Sequence, residues 1–235
     1  MKDIIRNIRK DLKIASDKKY LNTFQRFFKE KVKCYGINST NTVKLMKKYY
    51  PRISVMNKKD IFSICNELYS SNYCEEAFIS TGWLSRLDNL YTMADLNIFR
   101  SWINKYIDNW AKCDGFCCGV ISKYLDKYPS QIKQVIKWSL SKNKWMRRTS
   151  AVSLVTGARK GLYLKEVFTV SDILLEDNED MVQKGYGWLL KEASRKNEDQ
   201  IFKYILKNKD RMPRKSLRYA IELMGKDKKI IAMRR

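Results

Sequence analysis

The chain has 235 residues, of which 48 are Lys or Arg and 25 are Asp or Glu, giving a net charge of +23. Like charges at this density repel one another, so we expect a polyanionic partner: DNA, RNA or an anionic membrane surface. The sequence has no histidine, which excludes the usual general base and leaves carboxylates, Lys, Tyr and Cys for any catalysis. No stretch of about 18 apolar residues occurs, so no membrane span is predicted.

The sequence has six cysteines, and their pattern bears on location and on metal binding. The first residues lack the apolar core of a secretory signal, which favours reduced thiols and a cytoplasmic location. Cys113, Cys117 and Cys118 lie close together in the chain. Because there is no histidine and no second cysteine pair at zinc-finger spacing, we predict no structural zinc and no other cofactor.

Apolar residues recur at spacings of three and four along nearly the whole chain, which predicts helices joined by short polar turns. Three Pro and nine Gly are too few for the many turns of an all-β protein. Basic residues are spread over most of the predicted helices, for instance Lys44, Lys47 and Lys48 on one of them. No long linker interrupts the pattern, so we predict a single domain over residues 1–235.

Three segments show the apolar stripe most clearly, and they predict helices over 113–125, 145–159 and 179–195. The stripe residues are, in chain order, Cys117, Val120, Ile121, Tyr124, Ala151, Leu154, Val155, Ala158, Val182, Tyr186, Leu189, Leu190 and Ala193.

A weak repeat connects three segments with similar residue types. Arg148 follows Trp110 by 38 positions, and Trp188 follows Arg148 by 40. Periods near 40 with two helices per unit are typical of HEAT-like arrays. We therefore predict an all-α protein of HEAT-like helical repeats, forming a curved α-solenoid with a concave basic groove.

The segment around Trp110 combines an aromatic residue with a carboxylate. Asp114 follows Trp110 by four positions, so the two lie near one another if the helix begins early enough. The alternative is a core tryptophan with an aspartate that stabilises the first turn of the helix.

The two later segments combine cations with an aromatic residue. Arg147 and Arg148 point about 100° apart on a helix, so one can bind an internal carboxylate while the other holds a phosphate. An intramolecular salt bridge is the alternative. Trp188 shares a face with Lys184, away from the apolar stripe, and Gly185 and Gly187 indicate a close approach. That combination favours a binding surface.

Taken together, these segments resemble the AlkD-like DNA alkylation repair glycosylases over most of the chain. The segments that carry the resemblance are Phe27-Phe28-Lys29 followed by Gly36-Ile37, Trp110 with Asp114, Trp145-Met146-Arg147-Arg148-Thr149, and Gly187-Trp188-Leu189-Leu190-Lys191-Glu192. The chain departs from the family pattern at Phe27 and Asn38, where some relatives have Tyr and Gln.

The resemblance implies a HEAT-like solenoid that holds duplex DNA and excises positively charged alkylpurines such as 7-methylguanine or 3-methyladenine. It implies an active cleft of Trp110, Asp114, Arg148 and Trp188, with the arginine assigned to Arg147 or Arg148. We expect Asp114 to be the catalytic carboxylate and the remaining residues, with Lys184, to bind DNA.

Three functions remain open from the sequence. The first is a monofunctional alkylpurine-DNA glycosylase that needs no metal, because the cationic base is already a good leaving group. The others are a non-catalytic HEAT-like nucleic-acid-binding module and a protein-interaction scaffold. For the first we expect double-stranded DNA with alkylated bases as the partner, no obligate protein partner, no membrane association, and a monomer.

Overall fold

The computed structural model describes residues 2–234, and every regular element in that range is a helix. The α-helices are α1 (Lys2–Ile14), α2 (Lys18–Gln25), α3 (Ser39–Ser54), α4 (Lys58–Ser70), α5 (Cys74–Leu84), α6 (Asp95–Tyr106), α7 (Trp110–Phe116), α8 (Ser122–Lys127), α9 (Ile132–Lys137), α10 (Lys144–Val152), α11 (Val155–Arg159), α12 (Leu164–Leu174), α13 (Asp180–Asn208), α14 (Arg214–Ala220) and α15 (Lys226–Met233). The all-helical class predicted from the sequence is confirmed. No helix within residues 2–234 has the length and apolarity that crossing a membrane would require.

The chain divides into two compact units, the first ending at Val120 and the second beginning at Ile121. Each unit packs around its own buried apolar side chains, with Trp83 and Phe99 among them in the first and Leu189 and Ile201 in the second. That residues 1–235 form a single domain stays a prediction.

Several hydrogen bonds of the first unit join residues that are nearly 40 positions apart in the sequence. Lys58 binds Asp95 at 2.6 Å, 37 positions away, and the Trp83 indole donates to the Met46 carbonyl at 2.9 Å, also 37 positions away. The Trp102 indole donates to the Asn66 amide oxygen at 2.9 Å over 36 positions. These separations agree with the predicted period near 40 and define helical repeats.

The segment between α2 and α3 has no helix, and a buried glutamate holds it in place. Glu75, in the first turn of α5, accepts hydrogen bonds from the backbone N–H groups of Tyr35, Gly36 and Ile37 at 3.0, 2.9 and 3.0 Å. Gly36 has φ +84°, and a Cβ there would lie 2.5 Å from the Asp17 carbonyl oxygen. The segment therefore has one fixed path although it forms no regular structure.

The long helix α13 organises the second unit, packing against α10, α11, α12 and α14. Its predicted stripe is confirmed, because Val182, Tyr186, Leu189, Leu190 and Ala193 are all at most 1% exposed. Gly187 lets α14 approach closely, since a Cβ there would lie 2.8 Å from both the Ser216 carbonyl oxygen and the Tyr219 Cβ. The helix kinks at Asn197, where φ is −134° and ψ is 42°.

Two predicted helices are interrupted. The prediction of one helix over 145–159 is wrong, because α10 ends at Val152 and α11 begins at Val155. Ser153 and Leu154 keep right-handed backbone angles, so the apolar stripe runs through the break and the periodicity does not reveal it. The predicted helix over 113–125 contains a π-helical turn at Cys117–Ile121 between α7 and α8.

Candidate functional site

In the first unit, Trp110 and Asp114 lie one turn apart on α7. The helix begins at Trp110, and Asn109 caps it by accepting a hydrogen bond from the Lys112 N–H at 3.0 Å. A spacing of four on a helix places both side chains on one face. Both are half-buried, so an aromatic ring and a carboxylate share a partly accessible face.

Aromatic side chains support Trp110 from behind. The Phe28 ring stacks on it with centroids 5.2 Å apart and planes inclined by 18°, and Phe24 follows at 4.9 Å from Phe28. The Trp110 indole N–H also donates to the Phe27 carbonyl oxygen at 3.3 Å. Phe28 is 9% exposed whereas Phe27 is 68% exposed. One face of the Trp110 ring is therefore covered by Phe28.

A buried thiol and a buried lysine lie near Asp114 in the sequence. Burial raises the pKa of the Cys117 thiol well above its ordinary value, so this thiol stays protonated at neutral pH. The Lys112 ammonium is buried and binds Asp108 at 2.6 Å and the Tyr106 carbonyl at 3.2 Å. That Asp114 acts on a substrate stays a prediction.

The two adjacent arginines of α10 have different surroundings. Arg147 forms a bidentate salt bridge with Asp177, with Nε 2.6 Å from Oδ2 and Nη2 3.2 Å from Oδ1. Its Nη1 also donates a hydrogen bond to the Ser141 carbonyl at 2.9 Å. The intramolecular salt bridge that the sequence left open is therefore formed by Arg147. Arg148 is 5% exposed and donates from Nη1 to the Met181 carbonyl on α13.

Gly185 makes room for Arg148. A Cβ at Gly185 would lie 3.3 Å from the Arg148 Cγ and 3.4 Å from its Nη1. The close approach predicted from the two glycines is confirmed, because Gly185 faces Arg148 and Gly187 faces α14. Arg148 and Trp188 lie 40 positions apart, and in this unit their helices are in contact.

Lys184 and Trp188 are held on α13 by carboxylates. The Lys184 ammonium binds Asp180 at 3.0 Å, and the Lys215 ammonium binds the same carboxylate at 2.5 Å. Burial acts to raise the pKa of Asp180, but hydrogen bonds from Lys215 and Lys184 outweigh it and lower the pKa to about 2. The Trp188 indole N–H donates to Glu192 Oε1 at 3.3 Å.

Glu192 also binds two arginines that the sequence analysis did not connect to it. Its Oε2 accepts from Arg159 Nε at 2.8 Å and from Arg195 Nε at 2.6 Å. Burial opposes ionisation of Glu192, yet the bonds from both arginines lower its pKa below the ordinary value. The spacings of four between Trp188 and Glu192 and of three between Glu192 and Arg195 were local signals for this cluster. Arg159 lies 33 positions away, so no local pattern connects it to Glu192.

The predicted site residues thus fall into two groups. The first unit brings Trp110 and Asp114 together, and the second brings Arg148, Lys184 and Trp188 onto or against α13. That both groups line one cleft stays a prediction. Within residues 2–234, no group of three or more Cys, Asp or Glu side chains is arranged to hold a metal ion.

The protein therefore consists of helical repeats, and the aromatic and charged residues described above lie on α7, α10 and α13. The family model described as DNA alkylation repair enzyme matches residues 8–224, and the chain belongs to that family.

Solved structures of similar fold include a protein that was itself assigned to DNA alkylation repair. The structure titled "Predicted DNA alkylation repair enzyme from Enterococcus faecalis" matches with a TM-score of 0.81 and 12% identity, over 90% of this chain and 97% of that chain. At this identity the match shows a shared fold. No curated protein sequence matches the chain.

Proposed function

We propose that the protein is a monofunctional DNA glycosylase that releases positively charged alkylpurines from duplex DNA by hydrolysing the N-glycosidic bond. The observation that carries the proposal is the pair on α7, where the half-buried Trp110 ring and the half-buried Asp114 carboxylate share one face. Membership of a DNA alkylation repair family supports alkylated DNA as the substrate.

The chemistry suits a carboxylate. When the bond between C1′ and the purine nitrogen breaks, its electron pair goes to the base and neutralises it, while positive charge develops on the sugar. A carboxylate at about 4 Å stabilises that charge by roughly 4 kcal/mol at an effective dielectric of 20. Asp114 fits this role, and it can also orient the water whose hydroxyl adds to C1′ and whose proton is released.

The tryptophans suit a cationic nucleotide. An aromatic face stabilises a cation by about 0.5 to 2 kcal/mol. Phe28 covers one face of Trp110, so the opposite face is the one for the lesion. In our proposal Trp188 supplies a second ring for the nucleotide.

In our proposal Arg148 binds the phosphate of the lesion, whereas Arg147 holds Asp177. Lys184 adds positive charge beside Trp188. The net charge of +23 does not prevent binding of a cationic base, since phosphates dominate the long-range attraction and charges are screened beyond about 8 to 10 Å. We propose that the protein acts as a monomer on intracellular DNA.

The test is release of 7-methylguanine from methylated duplex DNA. We expect release by the wild type and a loss of about a thousandfold for Asp114→Asn, corresponding to about 4 kcal/mol of transition-state stabilisation. Asp3→Asn is the matched control, because it makes the same change at a side chain that is 76% exposed. Full release by Asp114→Asn would contradict the mechanism.

The basic charge by itself favours a second candidate, a DNA-binding module without catalysis. Salt-sensitive binding to the methylated duplex with no release of base by the wild type would identify that function instead.

A further inference from the structure

Two arginines of the second unit converge on one buried oxygen atom. Arg159, at the end of α11, and Arg195, on α13, both donate from Nε to Oε2 of Glu192, at 2.8 and 2.6 Å. Glu192 is 3% exposed, whereas the Arg159 and Arg195 side chains are 54% and 45% exposed. A buried carboxylate therefore draws two accessible guanidinium groups together.

The pair keeps donors available for a ligand. Within residues 2–234, Glu192 is the only hydrogen-bond partner of Arg159 and of Arg195, and it binds each through Nε. The Nη groups of both arginines remain to bind another molecule, and two cations around one carboxylate leave a net charge of about +1. Planar guanidinium forks match the oxygen atoms of a phosphate group.

The location of the pair connects it to the candidate site. Trp188, Glu192 and Arg195 are spaced by four and three positions on α13, so they share one face of the helix. The other oxygen of Glu192 accepts the Trp188 indole N–H at 3.3 Å. The arginines and Trp188 are therefore connected through the two oxygen atoms of one carboxylate.

We propose that Arg159 and Arg195 form a clamp for one phosphodiester group of DNA, with Glu192 as the positioning residue that holds both arginines and Trp188. The proposal rests on the proposed function in taking DNA as the partner, but it does not depend on base release.

The clamp binds a different phosphate from the one assigned to Arg148. Arg148 contacts α13 at Gly185, seven positions before Glu192. Seven residues of helix span about 10 Å, which exceeds the width of one phosphate group. Trp188 lies between these two positions on α13, so the strand that carries the lesion would be gripped on either side of this ring.

The first experiment measures binding of the full chain to an undamaged duplex by fluorescence anisotropy over a range of salt concentrations. We expect the double variant Arg159→Gln/Arg195→Gln to bind about tenfold more weakly at low salt. The slope of log K against log salt should fall by about 0.9, the value for one phosphate contact. The control Arg211→Gln/Arg218→Gln removes two exposed arginines of the same unit and should leave the slope unchanged.

An unchanged slope for the clamp variant would overturn the proposal, as would an equal fall for the control. A fall of about two would also overturn it, because it would mean two separate phosphate contacts.

The second experiment compares DNA binding by two variants that change the net charge by the same amount. Glu192→Gln and Glu222→Gln both raise the net charge by one. Each glutamate binds a basic residue of α13: Glu192 binds Arg195, and Glu222 binds Lys191. On charge alone both variants should bind DNA more tightly. If Glu192 positions the clamp, Glu192→Gln should instead bind about threefold more weakly, while Glu222→Gln binds at least as tightly as the wild type.

Tighter binding by Glu192→Gln would overturn the positioning role. If Glu192→Gln fails to fold, as judged by circular dichroism, the double arginine variant decides the question alone. Since both experiments use undamaged DNA, their failure leaves the glycosylase test standing, and failure of that test leaves these results interpretable.

Discussion

The two candidate tryptophans are held in opposite ways. In the first unit, Trp110 rests on the Phe28 ring, and its N–H binds a backbone carbonyl. In the second unit, the Trp188 N–H binds a buried carboxylate that also holds two arginines. Aromatic packing is insensitive to salt and pH, whereas charged contacts respond to both. The surroundings of the two tryptophans should therefore differ in how solution conditions affect them.

The largest expected effect tests the aromatic side. Phe28→Ala removes a buried ring from behind Trp110, so the free energy of unfolding should fall by about 3 kcal/mol in urea denaturation. Phe27→Ala is the matched control, because that neighbouring ring is 68% exposed, and its effect should stay within about 0.5 kcal/mol. Equal effects of the two variants would contradict the difference between the two rings.

The next effect tests the ionic side through Asp180, which binds Lys184 and Lys215. Its pKa is about 2 in the folded protein, against an ordinary value of 3.8. Because the folded value is the lower one, this stabilisation is complete above pH 3.8 and is lost as the pH falls through about 2. Allowing for solvent screening, Asp180→Asn should lower the free energy of unfolding at neutral pH by about 1 to 2 kcal/mol.

Urea denaturation over the acid range measures this difference. The gap between wild type and Asp180→Asn should close as the pH falls from 3.8 towards about 2. The control is Asp210→Asn, at an exposed acid of the same unit, which should follow the wild-type curve throughout. A gap that is constant with pH would show that Asp180 acts through packing and not through its charge.

The smallest expected effects come from replacing one helical glycine in each unit by alanine, which tests how closely other atoms pack against each glycine. Gly187→Ala should lower the melting temperature, because the new Cβ would meet the Ser216 carbonyl oxygen and the Tyr219 Cβ at 2.8 Å; we expect a loss of about 1 to 2 kcal/mol. Gly115→Ala should raise the melting temperature and stabilise the protein by about 0.5 to 1 kcal/mol, since alanine favours a helix and no heavy atom outside the backbone of its own helix lies within 4 Å of the added Cβ. Shifts of the same sign would contradict the comparison.

Local sequence patterns were sufficient for most of the fold. Spacing of three and four predicted the buried stripe of α13, and the spacing of four between Trp110 and Asp114 correctly placed them on one face. The two glycines of α13 correctly indicated close packing, since neither has any other advantage within a helix.

The parts that the sequence did not reveal depend on long-range contacts. Phe27 and Trp110 are 83 positions apart, and Arg159 and Glu192 are 33 apart, so no local periodicity connects either pair. Which of the two arginines forms the internal salt bridge likewise depended on Asp177, 30 positions further on from Arg147. The break after Val152 was hidden because its residues keep helical backbone angles.

The three hydrogen bonds of Glu75 have a consequence for the order in which the first unit folds. The amides of Tyr35, Gly36 and Ile37 belong to a segment without helix, yet their partner comes from a helix 38 to 40 positions later. They can resist hydrogen exchange only after α5 has docked, so they report tertiary assembly and not local helix formation. The same segment carries Phe28, so the ring behind Trp110 belongs to a part of the chain whose path depends on a contact with α5.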